Sequence, residues 1–189
     1  MKKLLARAAV IAVSLACVAA GTSAQESKGG SYTKIPTVKG IENLKVGAPA
    51  PDFTVMDVDD KEFRLQGCCG NDAVLLFFWS FFCGPCRDEM PLINEMTRSF
   101  SGKGLQVIGV NLDGVEMKKA IQKFIATEKI AFRIVFDELD GDAFRIADPY
   151  GVAGTPALFV IDKKGIVSYV AVGAVTAPTL RTEIEKATK

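Results

Sequence analysis

The chain of 189 residues carries 23 basic and 22 acidic residues and no histidine, so its formal charges nearly cancel. This balance offers no polybasic surface, which argues against nucleic acid as a partner. Hydrophobic residues make up 49% of the chain, enough to build one good core in a domain of this length. No period of about 20 to 50 residues repeats, which argues against a repeat architecture.

The first 24 residues have the pattern of a secretory signal. Lys2, Lys3 and Arg7 form a basic start, and residues 8–20 are almost wholly apolar. Small residues end the segment at Ala24, where cleavage is predicted, and the apolar run is shorter than the about 20 residues of a comfortable membrane span. The pattern therefore predicts export to a compartment such as the periplasm, where disulfides persist.

Two alternatives to cleavage stay open. Lipidation at Cys17 is one, although Ser14-Leu15-Ala16 lacks the aliphatic residue usually found three positions before a lipidated cysteine. An uncleaved signal that anchors the chain in the membrane is the other. Residues 25–45 are polar and contain Gly29-Gly30, so we expect a flexible tether that leads to a folded domain of residues 46–189.

The folded domain is predicted to begin with a β-hairpin. A stiff, proline-rich entry at 46–51 leads to Phe53 and Val55, and the apolar alternation resumes at Phe63 and Leu65 after a polar turn. This alternation indicates two short strands that each bury one face.

Two adjacent cysteines, Cys68 and Cys69, follow the hairpin. An adjacent pair can close only a strained ring, and strained disulfides are the more easily reduced ones. Electron relay, metal binding and simple burial as small side chains all remain open for this pair.

A buried strand then runs directly into a second cysteine pair. Residues 73–79 are continuously apolar, as in a strand buried on both faces, and a helical pattern opens at Arg87. Cys83-Gly84-Pro85-Cys86 therefore lies at a strand-to-helix junction, where free N–H groups and the positive end of the helix dipole stabilise a thiolate. Gly84 permits a tight turn, and Pro85 suits the first helical position. The pair is predicted to cycle between dithiol and disulfide.

Metal and haem sites explain this pair less well. Structural zinc needs about four ligands, whereas the chain has no histidine and Cys68-Cys69 lacks zinc-finger spacing. Covalent haem attachment needs a histidine after the second cysteine, where Arg87 stands. Redox chemistry is favoured, and no metal or other cofactor is predicted.

Strands and helices alternate through the rest of the chain. Apolar periodicity predicts helices at 87–100, 116–127, 142–147 and 177–186 and strands at 105–110, 132–136, 157–161 and 166–172. The first of these helices contains Pro91, which should kink it. This order predicts an α/β fold in which the last two strands form a hairpin.

In these motifs the chain resembles the thioredoxin superfamily, and more narrowly its membrane-associated or periplasmic branch, the TlpA/ResA-like thiol-disulfide oxidoreductases. The matching residues are Trp79, Cys83-Gly84-Pro85-Cys86, Glu89, Pro91, Gly109-Val110-Asn111, Asp137, Tyr150 to Pro156 and Phe159 to Asp162. The resemblance runs from about Val46 to the C-terminus and implies a thioredoxin-like three-layer α/β fold with a central helix-strand insertion. Its N-terminal hairpin is shared with peroxiredoxin-like proteins of the redoxin (AhpC/TSA-like) group.

The resemblance also implies a substrate site. In thioredoxin-like proteins the proline that matches Pro156 is cis and faces the redox motif, which leaves the backbone of the preceding residue, here Thr155, to pair with an extended substrate. The residues that we expect to bind substrate are Trp79, Phe82, Gly84, Pro85, Thr155 and Pro156. Phe81 and Phe82 could form an apolar docking patch, although core packing explains at least one of them equally well.

Catalytic roles follow from thiol exchange. Cys83 is expected to attack as the thiolate and Cys86 to resolve the mixed disulfide. Cytoplasmic thioredoxins place a buried aspartate where Phe77 stands here, which puts their proton relay in doubt. Glu89 matches an acidic residue that lines the active site of ResA-like proteins; its alternative is a solvated glutamate near a helix N-terminus.

The resemblance implies a periplasmic disulfide reductase. It would receive electrons from a membrane thiol carrier and keep apocytochrome c or another exported protein reduced. Alternatives are a thiol oxidase, a peroxiredoxin-like peroxidase, whose usual Pro-X-X-X-Thr-X-X-Cys motif is absent, and a Sco-like copper-binding module, which needs a histidine. The Gly84-Pro85 dipeptide is that of reducing thioredoxins and favours reduction.

Overall fold

The computed structural model of the chain describes residues 44–189. The predicted signal at 1–24, Cys17 and nearly all of the predicted tether lie outside the described residues. Within 44–189, no helix combines the length and the apolar character needed to cross a membrane.

Strands and helices alternate as the sequence predicts. The strands are β1 (Thr54–Met56), β2 (Glu62–Arg64), β3 (Ala73–Trp79), β4 (Leu105–Asn111), β5 (Arg133–Phe136), β6 (Leu139–Asp140), β7 (Ala143–Phe144), β8 (Ala157–Ile161) and β9 (Val167–Val172). The helices are α1 (Gly84–Ser99), α2 (Lys118–Glu128) and α3 (Ala177–Ala187).

Strand β3 is the centre of a five-stranded sheet with the order β5-β4-β3-β8-β9. It pairs in parallel with β4 and antiparallel with β8, and all seven of its residues are buried. Because successive side chains point to opposite faces, Phe77 packs among the helices while Phe78 packs under the β1-β2 hairpin and Tyr150. The predicted strand buried on both faces is confirmed, and its C-terminal end delivers the chain to the redox motif.

The prediction of a helix at 142–147 is wrong. Strands β6 and β7 form a small antiparallel hairpin there, with a two-residue turn at Gly141-Asp142 in which Gly141 has a φ of 66°. Glycine adopts this left-handed conformation without a steric penalty, so it favours a tight turn over a helix. Two smaller differences concern α2, which begins at Lys118 after a short 3-10 turn, and α1, which continues through Pro91.

Asp137 anchors the segment that replaces the predicted helix. Its buried carboxylate accepts hydrogen bonds from the N–H groups of Ile146, at 2.9 Å, and Ala147, at 2.7 Å. Burial raises the pKa of Asp137, and these two donors lower it in part. The N–H groups of Ile146 and Ala147 therefore have partners outside a helix, in the side chain of Asp137.

We expect Asp137→Asn to lower the free energy of unfolding by about 1–3 kcal/mol, because an amide can accept only one of the two hydrogen bonds and leaves a buried donor unpaired. Urea unfolding measures the effect. Asp140→Asn, an exposed position in β6, is the matched control. Equal free energies for the two variants would contradict the anchoring role.

Candidate active site

The redox motif lies at the junction between the C-terminal end of β3 and the start of α1. Cys83 is the N-cap of α1, with extended backbone (φ −84°, ψ 104°), and its Sγ accepts a hydrogen bond from the N–H of Cys86 at 3.2 Å. The two cysteines form a disulfide with 5.3 Å between their Cα atoms. The N-cap position places the Cys83 sulfur against the free N–H groups of the helix, which favour negative charge.

The two cysteines differ in exposure. Cys83 is half-buried, whereas Cys86 has no exposed surface and belongs to the main core with Met90 and Ile93. A polypeptide can reach the first sulfur but not the second. Such a pair can attack through Cys83 and resolve through Cys86.

The predicted apolar patch beside the motif separates into two roles. Phe82 is 75% exposed, whereas the half-buried Phe81 packs edge-on against Phe124 of α2, with 5.7 Å between ring centroids. The guanidinium of Arg87 lies 5.6 Å from the Phe124 centroid, and this contact covers the same aromatic cluster. Phe82 is therefore the ring that faces solvent, next to Gly84 and the exposed Pro85.

Thr155 and Pro156 lie at the same edge of the sheet as the motif. The peptide bond between them is cis, as predicted. Strand β8 begins at the next residue, Ala157, which pairs with Phe78 near the C-terminal end of β3. Among residues 44–189, the backbone groups of Thr155 make no hydrogen bond, so they are free to pair with another chain.

The structure corrects the predicted substrate contact of Trp79. Its side chain has no exposed surface, because it ends a central strand that is buried on both faces, and its ring stacks on Phe124 at 5.8 Å. Gly109 makes this packing possible, since a Cβ there would lie 2.8 Å from Phe132 and 3.2 Å from the indole nitrogen. Trp79 supports the motif from beneath and does not face a substrate.

Glu89 is a buried carboxyl one helical turn beyond Cys86, and the alternative of a solvated glutamate is wrong. It is 5% exposed, and its Oε1 accepts a hydrogen bond from the N–H of Val175 at 2.8 Å. Its Oε2 is buried and has no partner among residues 44–189. Burial raises the pKa of Glu89, and the Val175 donor lowers it in part. Residues three apart share a helix face, so the side chain of Glu89 leaves the helix on the side that carries Cys86.

Phe77 has no group that can accept a proton, so β3 supplies no proton acceptor at this position. Its ring is fully buried and packs edge-on against Phe132, with 6.4 Å between centroids. The position that holds a carboxyl in cytoplasmic thioredoxins is thus part of the apolar core in this chain. Glu89 supplies a buried carboxyl from the helix side instead.

Cys68 and Cys69 are free and lie at the other end of β3 from the motif. The seven-residue strand between them and the motif spans about 20 Å, which rules out direct thiol exchange with Cys83 within one chain. Burial raises the pKa of both thiols, and each is raised further by nearby negative groups. Simple burial as a small side chain fits Cys68, whereas Cys69 is half-buried.

Sequence reasoning missed Asp113, whose carboxylate accepts hydrogen bonds from Ser80 and Phe81, more than 30 residues earlier in the chain. The position of Asp113 in the sequence could have indicated this contact. Asp113 comes just after the buried strand β4, which runs parallel to β3, and polar residues that follow neighbouring parallel strands meet at one edge of a sheet.

Comparison with known proteins gives consistent matches. The sequence model of the AhpC/TSA family matches residues 46–170. Thiol-disulfide oxidoreductase ResA of Geobacillus thermodenitrificans is 34% identical over 142 residues, which cover 75% of this chain and 78% of that protein. ResA of Bacillus cereus is 31% identical over 147 residues, or 78% and 81% of the two chains. The crystal structure of a Chlorobium tepidum protein described as a thiol:disulfide interchange protein DsbE is similar, with a TM-score of 0.67, 33% identity, and coverage of 78% of this chain and 100% of that one.

Proposed function

The chain belongs to the AhpC/TSA family, within the ResA-like thiol-disulfide oxidoreductases of the thioredoxin superfamily, and from this membership we propose that it reduces disulfides in exported proteins. The predicted thioredoxin-like fold is confirmed by the likeness to the Chlorobium tepidum structure. Thiol-disulfide oxidoreduction is the activity of the chain. The direction, the compartment, the substrate and the role of each site residue are the proposal.

The unequal exposure of the two cysteines carries the proposal. The Cys83 thiolate attacks a sulfur of the substrate disulfide, the substrate S–S bond breaks, and one substrate sulfur leaves as a thiolate. Cys86 then loses its proton and attacks Cys83, which releases the second substrate thiolate and leaves the Cys83–Cys86 disulfide. Two electrons pass from the protein dithiol to the substrate. Because Cys86 is fully buried, only Cys83 can begin this sequence.

Glu89 is the group that we assign to the proton of Cys86. A buried carboxyl one turn away, with one oxygen unpaired and a raised pKa, is suited to accept a proton as Cys86 attacks and to return it later. Both residues are buried, which limits the access of water to this exchange.

Substrate would lie across the exposed surface beside Cys83. Thr155 offers unpaired backbone groups for an extended chain, and Phe82, Gly84 and Pro85 offer an exposed apolar contact. Main-chain pairing of this kind tolerates many sequences, so it suits an enzyme that acts on several unfolded proteins.

We further propose that the chain works in the periplasm, receives electrons from a membrane thiol carrier and reduces exported substrates such as apocytochrome c. The signal-like pattern of residues 1–24 supports export. An oxidising compartment supports the need for a dedicated reductant, because exported thiols are oxidised there.

The reduction potential of the Cys83–Cys86 couple tests the direction of exchange. We expect a value near or below about −230 mV, which would make the protein a reductant that must be supplied with electrons. Equilibration with defined thiol buffers, followed by alkylation and mass spectrometry, measures it. A variant with Cys68 and Cys69 both changed to Ser is the control, since only one couple can then titrate. A value near about −120 mV would make the protein an oxidase and overturn the reductase proposal.

A further inference from the structure

Two of the three residues between β3 and the redox motif, Ser80 and Phe81, donate hydrogen bonds to one carboxylate. Asp113 follows β4, and its Oδ1 accepts a hydrogen bond from the Ser80 hydroxyl at 2.6 Å. Its Oδ2 accepts from the N–H of Phe81 at 2.6 Å and from the side-chain amide of Asn111 at 2.8 Å. Hydrogen bonds to a carboxylate are stronger than those between neutral groups, so this anchor is firm.

Ser80 connects Asp113 to the backbone of Phe82 and Cys83. Its hydroxyl, which donates to Asp113, also accepts from the N–H of Phe82 at 3.1 Å. Its carbonyl accepts from the N–H of Cys83, also at 3.1 Å. Each residue from Ser80 to Cys83 is thus bonded either to Asp113 or to Ser80.

The backbone that carries the Asp113 carboxylate is itself held by hydrogen bonds. The N–H of Asp113 donates to the side-chain oxygen of Asn111 at 3.0 Å, and the N–H of Leu112 donates to the carbonyl of Trp79 at 3.0 Å. Asn111 is fully buried at the end of β4. These hydrogen bonds at the C-terminal ends of β3 and β4 therefore support the loop that carries Cys83.

We propose that Asp113 is a positioning residue for the exchange reaction, and this inference rests on the proposed function. It acts through Ser80 and Phe81 and does not touch the reacting sulfurs. Its hydrogen bonds hold Cys83 at the N-cap of α1, with the sulfur against the N–H of Cys86. Exchange requires the attacking sulfur to be aligned with the substrate disulfide, and small losses of alignment cost large factors in rate.

Asp113→Asn tests the inference, because an amide can accept from Ser80 or from Phe81 but not from both. Pre-reduced protein is mixed with excess disulfide-bonded peptide, and acid quench, alkylation and mass spectrometry give the maximal rate and the half-saturating peptide concentration. We expect the maximal rate to fall about tenfold, since the loss is one of alignment, with a change of less than about twofold in half-saturation. Phe82→Ala should do the opposite, because it removes contact surface without disturbing the anchor.

Ser80→Ala is the second test and preserves the charge. It should lower the maximal rate in the wild-type chain and have no further effect in the Asp113→Asn chain, because both changes break one network. Asp162→Asn is the matched control. Asp162 is also half-buried and accepts two backbone N–H groups, from Lys164 at 2.9 Å and Ile166 at 3.0 Å, but it lies at the other end of the sheet. Its rate should equal that of the wild type.

Wild-type rates for both Asp113→Asn and Ser80→Ala, or strictly additive losses, would overturn the inference and leave the reductase proposal standing. If Asp113→Asn fails to fold, Ser80→Ala decides alone. The same variants are also tested as oxidised proteins on a dithiol peptide. Exchange by the wild type in that direction only would overturn the reductase proposal, while slower exchange by the two variants would still support the positioning role.

Discussion

Cys83→Ser is expected to abolish disulfide exchange, whereas Cys86→Ser is expected to accumulate mixed disulfides. Cys83 is the sulfur of the redox motif that a polypeptide can reach, so its removal leaves the motif without an accessible nucleophile. Cys86 has no exposed surface and can react only with Cys83. Without it, the first exchange still proceeds and the mixed disulfide persists. We expect the Cys83→Ser rate to fall by at least about 10³-fold, as for loss of other catalytic nucleophiles.

Non-reducing electrophoresis and mass spectrometry after incubation with a disulfide-bonded protein distinguish the two variants. The variant with Cys68 and Cys69 both changed to Ser is the control and should keep the wild-type rate, since that pair lies about 20 Å from the motif along β3. Equal trapping by the Cys83 and Cys86 variants would contradict the order of attack.

Glu89→Gln is expected to slow the resolution of the mixed disulfide by about 10²-fold, the lower range for loss of a general base. The amide can still accept the hydrogen bond of Val175, so the fold is preserved. It cannot accept a proton from Cys86. Single-turnover mixing of reduced protein with a disulfide-bonded peptide measures the step as the loss of mixed disulfide with time.

The proposed role of Glu89 also predicts how the rate of resolution changes with pH. Burial raises the pKa of Glu89, and only the ionised carboxylate can accept a proton. The wild-type advantage over Glu89→Gln is therefore present above the pKa of the folded state and disappears as pH falls through it, at a higher pH than for an exposed glutamate. Asp88→Asn is the matched control, because it removes an exposed carboxylate from the same turn of α1. Parallel pH profiles for wild type and Glu89→Gln would contradict the assignment.

Stability separates this catalytic effect from unfolding. A carboxyl with a raised pKa in the folded state contributes stability below its unfolded pKa and loses that contribution as pH rises through the folded value. Ionisation of the buried Glu89 is thus a cost at pH values above its folded pKa. Glu89→Gln should be at least as stable as the wild type there, so a slower reaction cannot come from a loss of fold.

Local patterns in the sequence were enough to predict most of the elements. Seven consecutive apolar residues at 73–79 require a strand covered on both faces, and the cysteines that follow, separated by Gly84-Pro85, require a strand-to-helix junction. The helix predicted at 142–147 failed because apolar spacing over six residues is weak evidence, and Gly141 and Asp137 together favoured a hairpin and an anchored turn. Local sequence patterns also could not predict side-chain exposure, because no neighbouring residue indicates which of Phe81 and Phe82 faces solvent.

The α/β fold class could be predicted from the order of strands and helices along the chain and from the family resemblance. The place of the Cys83–Cys86 pair at a helix N-terminus could be predicted from its immediate neighbours in the sequence. The unpaired oxygen of Glu89 and the hydrogen bonds of Asp113 to the loop before Cys83 became evident only from the three-dimensional structure. The physical reason is that burial and hydrogen-bond satisfaction depend on what packs across the sheet. The partners of Glu89 and Asp113 come from segments 86 and 32 residues away, and no local periodicity encodes such distances.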